Sequence, residues 1–115
     1  MLAMLNSLEL HLDGRVAIQC LTKKDFEQSG ATYKDTESLI DECQRISSVE
    51  VAAILIEAPD GRIRCSLRSR NGVDVCKIAQ AHGGGGHKAA AGVHLEVPIA
   101  EAKQEILSLI TGQMP

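Results

Sequence analysis

Residues 49–58, Val-Glu-Val-Ala-Ala-Ile-Leu-Ile-Glu-Ala, are a nearly continuous apolar run broken only by Glu50 and Glu57. A run of this length and β-branched content reads as a central strand buried on both faces, which must carry cover on each side. Pro59-Asp60-Gly61 turns the chain after it. From Arg62 to Ser69, Ile63, Cys65 and Leu67 then alternate with Arg62, Arg64, Ser66 and Arg68. The period of two predicts a strand whose arginines share one face.

The flanking segments fit a sheet of this kind. Leu8, Leu10 and Leu12 alternate with polar residues, Asp13-Gly14 follows, and Val16 and Ile18 alternate again. Two such runs around Asp-Gly predict a hairpin, with strands near 7–12 and 15–22. Thr22 is placed to cap a short helix over Lys23–Gln28, ended by Gly30. A second helix, about 36–47, would turn Leu39, Cys43 and Ile46 inward. Asn71-Gly72 makes a turn, and residues 74–81 predict a helix with Val75, Ile78 and Ala79 inside. A strand is expected over 93–97. Pro98 then opens a last helix to about Ile110, with Ile99, Ala102, Ile106, Leu109 and Ile110 along one side. Together these elements predict an α/β (α+β) fold, a mixed sheet of about five strands with helices packed on it, in a single domain. A length of 115 residues suits one domain, and 44% hydrophobic residues suit a folded one. The only aromatic residues are Phe26 and Tyr33, so the core must be aliphatic. The same shortage argues against a single-strand binder that works by stacking bases.

The stretch at 81–92, Ala-His-Gly-Gly-Gly-Gly-His-Lys-Ala-Ala-Ala-Gly, calls for a functional reading. Consecutive glycines let a ligand or another backbone approach the main chain. If His87–Ala91 forms a short helix, the amides of Gly85, Gly86 and His87 would present a helix N-terminus to an anion. His87 could donate to that anion, and Arg68 could add a bidentate fork if its strand ends beside the loop. The bland alternative is a tightly packed glycine corner that binds nothing. Lys88 precedes Ala89, so the Walker pattern fails, and the match to a dinucleotide fingerprint at Gly84, Gly86 and Ala89 is nominal.

Charge supports a small anionic site. The chain is −3 overall, yet residues 62–88 hold six cations (Arg62, Arg64, Arg68, Arg70, Lys77, Lys88) against Asp74, a local +5. The histidines at 11, 82, 87 and 94 have no carboxylate or cysteine at ligand spacing, which disfavours a metal site in this chain. No base is indicated beside Ser66, Ser69 or Cys76, which disfavours covalent catalysis. The cysteines at 20, 43, 65 and 76 form no CxxC pair and read as reduced thiols. No apolar run reaches membrane-spanning length, and residues 1–5 lack a signal peptide's basic start. A cytoplasmic location without membrane attachment is the expectation.

Residues 65–95, Cys-Ser-Leu-Arg-Ser-Arg through His-Gly-Gly-Gly-Gly-His-Lys-Ala-Ala-Ala-Gly-Val-His-Leu, resemble the C-terminal DHH-associated domain of the DHH phosphoesterases. The likeness extends over about 8–110. It is strongest to the NrnA-like branch of oligoribonucleases and pAp phosphatases, to which exopolyphosphatases are related. The resemblance implies a two-domain hydrolase, in which an N-terminal DHH domain holds two Mn²⁺ ions and cleaves phosphoester bonds. No Asp-His-His occurs in this chain. Residues 1–7 would then end an interdomain linker helix, and 8–112 would form the substrate-binding domain. That domain would bind no cofactor and have no catalytic residue of its own.

By the same resemblance, Arg68 and Ser69 would contact the substrate phosphate or terminal nucleotide. Gly83, Gly84, Gly85, Gly86 and His87 would form the substrate loop, with Lys88 at a variable position beside it. Ala90, Ala91 and Gly92 would pack. The implied partners are nucleotides or the ends of short single-stranded RNA or DNA, together with the protein's own DHH domain; a homodimer is compatible. Cyclic dinucleotides, DNA as for RecJ-like nucleases, and polyphosphate remain open as substrates. A non-catalytic nucleotide-binding module is the alternative from a different class. An alanyl-tRNA synthetase-type editing domain fits the Ser-Leu-Arg-Ser spacing less well.

Overall fold

A computed structural model of the chain describes residues 8–29, 40–42, 45–46, 48 and onward to 114. Six strands form one mixed sheet in the order β1-β2-β3-β4-β6-β5. They are β1 (Leu8–His11), β2 (Val16–Leu21), β3 (Val51–Glu57), β4 (Ile63–Ser69), β5 (Gly85–His87) and β6 (Ala90–Leu95). Three helices accompany them: α1 (Lys23–Ser29), α2 (Val75–Gln80) and α3 (Ile99–Gln113). Residues 40–42 are also helical. Only β2 and β3 run parallel; the other neighbours are antiparallel.

Most of the sequence reading stands. The hairpin at Asp13-Gly14 joins β1 to β2, through a turn that puts Leu12, Asp13 and Gly14 at positive φ. Thr22 caps α1: its hydroxyl accepts from Asp25 N at 3.1 Å, and Asp25 Oδ2 accepts from Thr22 N at 3.2 Å. Asp74 caps α2 by accepting from Lys77 N. In the helix expected at 36–47, Leu39 and Cys43 lie outside the described residues. Ile46 is exposed, and Ile40 is the buried residue instead. The linker helix expected at 1–7 also lies outside them.

The main correction falls on the glycine loop. His87–Ala91 is not a helix. Gly85–His87 is a short strand, Lys88 and Ala89 turn, and the chain returns as β6 three residues earlier than expected. This hairpin supplies the sixth strand. The reason is pairing partners: β4 offers a long edge, and Ala90, Ala91 and Gly92 ladder onto Arg68, Leu67 and Ser66. The ladder satisfies backbone groups that a lone five-residue helix would leave open at both ends. No helix dipole therefore points from His87 toward an anion.

The sheet has two different faces. One carries Val51, Ala53 and Leu55 of β3 and Ile63, Cys65 and Leu67 of β4. Val75, Ile78 and Ala79 of α2 and Ala102, Ile106 and Ile110 of α3 cover it. On the other face Ala17, Leu21, Ala52, Ile54 and Ile56 pack with Ile40 and Val49. β3 is thus buried on both sides, as its composition requires. Near the start of β2 and β3, Arg15 pairs with Glu50, which holds the Glu50 carboxyl below its usual range.

Cys20, Cys65 and Cys76 are free thiols. Burial pushes Cys20 up to about 11 and Cys65 higher still, from an ordinary 9.0. A raised folded value means the native state holds these protons more tightly than the unfolded chain. The stabilisation is complete below pH 9 and is lost as pH rises toward 11. Urea midpoints should therefore fall between pH 8.5 and pH 10.5, and a Cys20→Ala, Cys65→Ala double variant should show a smaller fall. An equal fall in both proteins would assign the alkaline loss to other groups.

Candidate phosphate-binding groove

β4 divides the sheet's second face. On its β3 side the register sets Ala52, Ile54 and Ile56 beside Arg68, Ser66 and Arg64. On its other side the same three residues face Ala90, Gly92 and His94 of β6, and Gly85 and His87 of β5 follow across the next ladder. The apolar half lies under Ile40 and Val49. The half built from β4, β6 and β5 stays accessible, and it forms a groove. One part, about 290 Å³, is lined by Arg64, Ser66, Arg68, Gly85, Gly86, Ala90, Ala91 and Gly92. A second part, about 490 Å³, shares Arg64, Ser66 and Gly92 with it.

The glycines of the loop have separate tasks. Gly83, at φ +81°, ends α2: its N–H reaches Gln80 O at 3.1 Å while Gly84 N reaches Ala79 O at 2.8 Å, a Schellman closure. Gly84 lies against β6, where a Cβ would run into the Gly92 carbonyl oxygen and come within 2.7 Å of Val93 Cβ. Gly86, at φ +144°, leaves no space either, since a Cβ would stand 2.6 Å from Ala90 O and Ala91 Cα. Gly85 differs. It has no positive φ, and a Cβ there would meet nothing within 4 Å. Its Cα partner is Gly92, where a Cβ would meet only Cys65 O at 3.6 Å, an ordinary contact. Backbone conformation therefore explains Gly83, and close packing explains Gly84 and Gly86. Neither explains the Gly85–Gly92 pair, which floors the groove.

The cations of the +5 segment do not converge. Arg62 lies at the far end of β4, between Asp60 and Glu96. Arg70 is spent on the protein itself, donating from Nε to Val49 O and from Nη2 to Ile46 O, both at 2.6 Å. Lys77 is exposed on α2. Arg64 and Arg68 line the groove. Arg68 Nη1 donates to Leu67 O at 3.1 Å, and Nε stands 3.9 Å from Asp41 Oδ1, a loose ion pair that an incoming anion can displace. His87 and Lys88 are exposed at the hairpin turn. Ser69 is buried, on the covered face. Its hydroxyl donates to Val73 O at 2.6 Å and lies 3.2 Å from Lys88 O, so it knits β4 to the hairpin.

The structure thus brings Arg68, Gly85 and Gly86 together and sets His87 and Lys88 at the rim. Gly83 and Gly84 line the second part of the groove. It adds Arg64, Ser66, Gly92, His82 and His94, which the motif reading did not select. Alternation along β4 placed Arg64 and Ser66 on the face of Arg68. Gly92 and His94 needed the β4–β6 register, which no local pattern reveals. A larger cavity, about 570 Å³, lies at the other end of β4 among Glu57, Asp60, Arg62 and Glu96. Its excess of carboxylates is the wrong charge for a phosphate. Among the described residues no three His, Cys, Asp or Glu side chains gather as a metal centre, so this chain's described residues do not fit one. Among the described residues no helix is long and apolar enough to cross a membrane.

Comparison with known proteins agrees with this architecture. Residues 13–114 match the DHHA1 domain. The probable bifunctional oligoribonuclease and PAP phosphatase NrnA of Streptococcus mutans is 33% identical over 88 residues, which is 76% of this chain but 28% of that protein. An exopolyphosphatase-related protein from Bacteroides fragilis superposes with a TM-score of 0.85 at 24% identity, over 95% of this chain and 32% of its own. The pGpG-specific phosphodiesterase PggH of Vibrio cholerae superposes at 0.61 and 13% identity, over 96% and 36%. The chain thus spans about a third of the length of each of these relatives. This chain belongs to the DHHA1 family, the DHH-associated domain of the DHH phosphoesterases.

Proposed function

We propose that this chain is the substrate-gripping part of a two-domain phosphoesterase, and that the β4–β6–β5 groove holds the phosphate-bearing end of a nucleotide or short oligonucleotide. The observation that carries this reading is the Gly85–Gly92 pair. Two facing glycines without a packing role keep side chains off the floor exactly where Arg68 and Ser66 line the wall. Backbone can then approach the ligand closely, and an Arg fork beside it suits a phosphate. His87 stands at the rim on the same strand, able to donate to a phosphate from a partner domain's side.

The likeness to a probable oligoribonuclease and PAP phosphatase supports a nucleotide ligand. Hydrolysis in this proposal belongs to a DHH domain carrying Mn²⁺. The residues of this chain supply positioning. Holding a reacting group in place can account for several kcal/mol of a barrier, on the order of 7–11 in the best cases. Closure of a second domain over the groove would also exclude water and strengthen each charge contact.

Three outcomes test this. The purified 115-residue chain should not hydrolyse short RNA, pAp or pGpG with Mn²⁺; sustained turnover would overturn the division of labour. In the protein joined to its DHH domain, Arg68→Ala and His87→Ala should fold normally yet lose about 10- to 1000-fold in kcat/KM, the cost of one or two charge-assisted contacts. The glycines should separate into two classes. Gly84→Ala and Gly86→Ala should destabilise by about 1–3 kcal/mol through overpacking. Gly85→Ala and Gly92→Ala should stay within about 0.5 kcal/mol of wild type and lose substrate use. Full activity in Gly85→Ala and Gly92→Ala would reduce the loop to a packed corner.

A further inference from the structure

β1 ends the sheet, at the opposite edge from β5 and the groove. It pairs with β2 on one side, and among the described residues no strand pairs with its outer edge. Such an edge presents a row of backbone N–H and C=O groups to another strand. The two faces of β1 differ. Leu8 packs with Ile40, Ala17 and Ile54 on the sheet's second face. Leu10 lies opposite Ala17 on that same face, and it is 51% exposed. Among the described residues the exposed large hydrophobics are Leu10, Leu12 and Ile46, and all lie at this corner of the sheet. Ile46 is held there through its neighbours: Ser48 Oγ donates to Gly14 O at 2.8 Å, and Glu50 N donates to Arg15 O at 2.7 Å. A lone exposed leucine is ordinary, but apolar side chains gathered beside an open edge mark a contact surface. The other face of β1 is charged. Lys103 Nζ on α3 donates to Glu9 Oε2 at 3.0 Å and, with His11, holds the Glu9 carboxyl below its usual range. His11 Nε2 stands 3.1 Å from Glu9 Oε1.

The residues of β1 select the occupant, because their pattern is complementary to itself. Two copies of a strand that pair antiparallel about a two-fold axis set one residue on the axis against its own copy. Its neighbours on either side then oppose each other. With Glu9 on the axis, two carboxylates would meet; with His11 there, two imidazoles would meet. With Leu10 on the axis, Leu10 meets Leu10, and Glu9 of each copy meets His11 of the other. Like charges directly opposite destabilise such a pair, and an acid opposite a base stabilises it. We propose that the outer edge of β1 is a homodimer interface, where a second copy of this chain adds its own β1 antiparallel with Leu10 on the two-fold axis. The apolar faces of the two β1 strands then adjoin, which covers Leu10, and the two sheets become one, with six strands from each copy. Both grooves stay open, at the two outer ends of the joined sheet. β1 has only four residues, so the contact is small and the dimer is weak and concentration-dependent. Nothing in this inference depends on what the groove binds.

The test is sedimentation velocity on the 115-residue chain from about 10 µM to about 1 mM, which should show a reversible monomer–dimer equilibrium. Leu10→Lys and His11→Glu should each weaken association about tenfold or more, and His11→Lys should preserve it, because Lys keeps a cation opposite Glu9. Circular dichroism checks that each variant remains folded. A measurement on the unaltered chain stands beside the variants. In a mixture of ¹³C-labelled and unlabelled chains, filtered NOEs should connect Leu10 methyl groups across the two copies. A chain that stays monomeric at about 1 mM refutes the interface. So does a dimer that neither Leu10→Lys nor His11→Glu weakens, or one whose intermolecular NOEs arise away from β1. Slow amide exchange along the outer edge of β1 in a monomer would assign that edge to a segment of the same chain, and the inference would fall. All of these outcomes leave the proposed function as it stands, since its own tests read hydrolysis.

Discussion

The close approach of β5 to β6 is the constraint on which the open face depends. Gly84 and Gly86 bring the two backbones nearer than any side chain would allow. The ladder Gly85–Gly92, Gly86–Ala91 and His87–Ala90 forms only at that distance. The hairpin is then pinned from below, since Val75 N at the start of α2 donates to Lys88 O at 2.9 Å. The absence of a side chain at two residues thus gives the groove its outer wall, and the wall sets His87 at the rim. The entropic cost of Gly84 and Gly86 is offset by a strand that nothing bulkier at those two positions could form.

A single register also decides which parts of the sheet are dry. On one face the residues of β3 and β4 continue each other as core. On the other, Ala52, Ile54 and Ile56 sit beside Arg68, Ser66 and Arg64. A slip of one residue would bury three polar side chains and expose Ile63, Cys65 and Leu67. Alternation in β4 is therefore tied to site and stability together. The uncovered half carries arginines, serine and glycine in place of aliphatics, so it can remain wet without becoming a sticky patch.

Much of this was legible in the sequence. The two-sided burial of β3, the alternation of β4, the Asp13-Gly14 hairpin, the cap at Thr22 and the inward residues of α2 all follow from local chemistry. Arg68 and the glycine loop stood out on residue type. The hairpin did not, because Ala89, Ala90 and Ala91 favour helix when read alone, and only the β4 edge overrules them. The basic segment likewise looked like one patch. Arg70 turned to backbone carbonyls and Arg62 to the opposite end, since charge along a chain does not say where each side chain finds its partner. Gly85 could not be told from Gly84 or Gly86 until each was set against β6.

Ser69 shows how the two motifs of this domain are joined. Its hydroxyl meets the carbonyls of Val73 and Lys88, and its N–H donates to Ala89 O at 3.0 Å. The end of Ser-Leu-Arg-Ser and the turn of Gly-His-Lys-Ala are therefore one hydrogen-bonded knot, though some twenty residues of chain lie between them. Free energies of substitution on either side of that knot are not independent quantities, since each group left buried without its partner carries its own desolvation penalty. A family resemblance written as two separate motifs thus describes a single hydrogen-bonded unit, held by one side chain on the carbonyls of its neighbour.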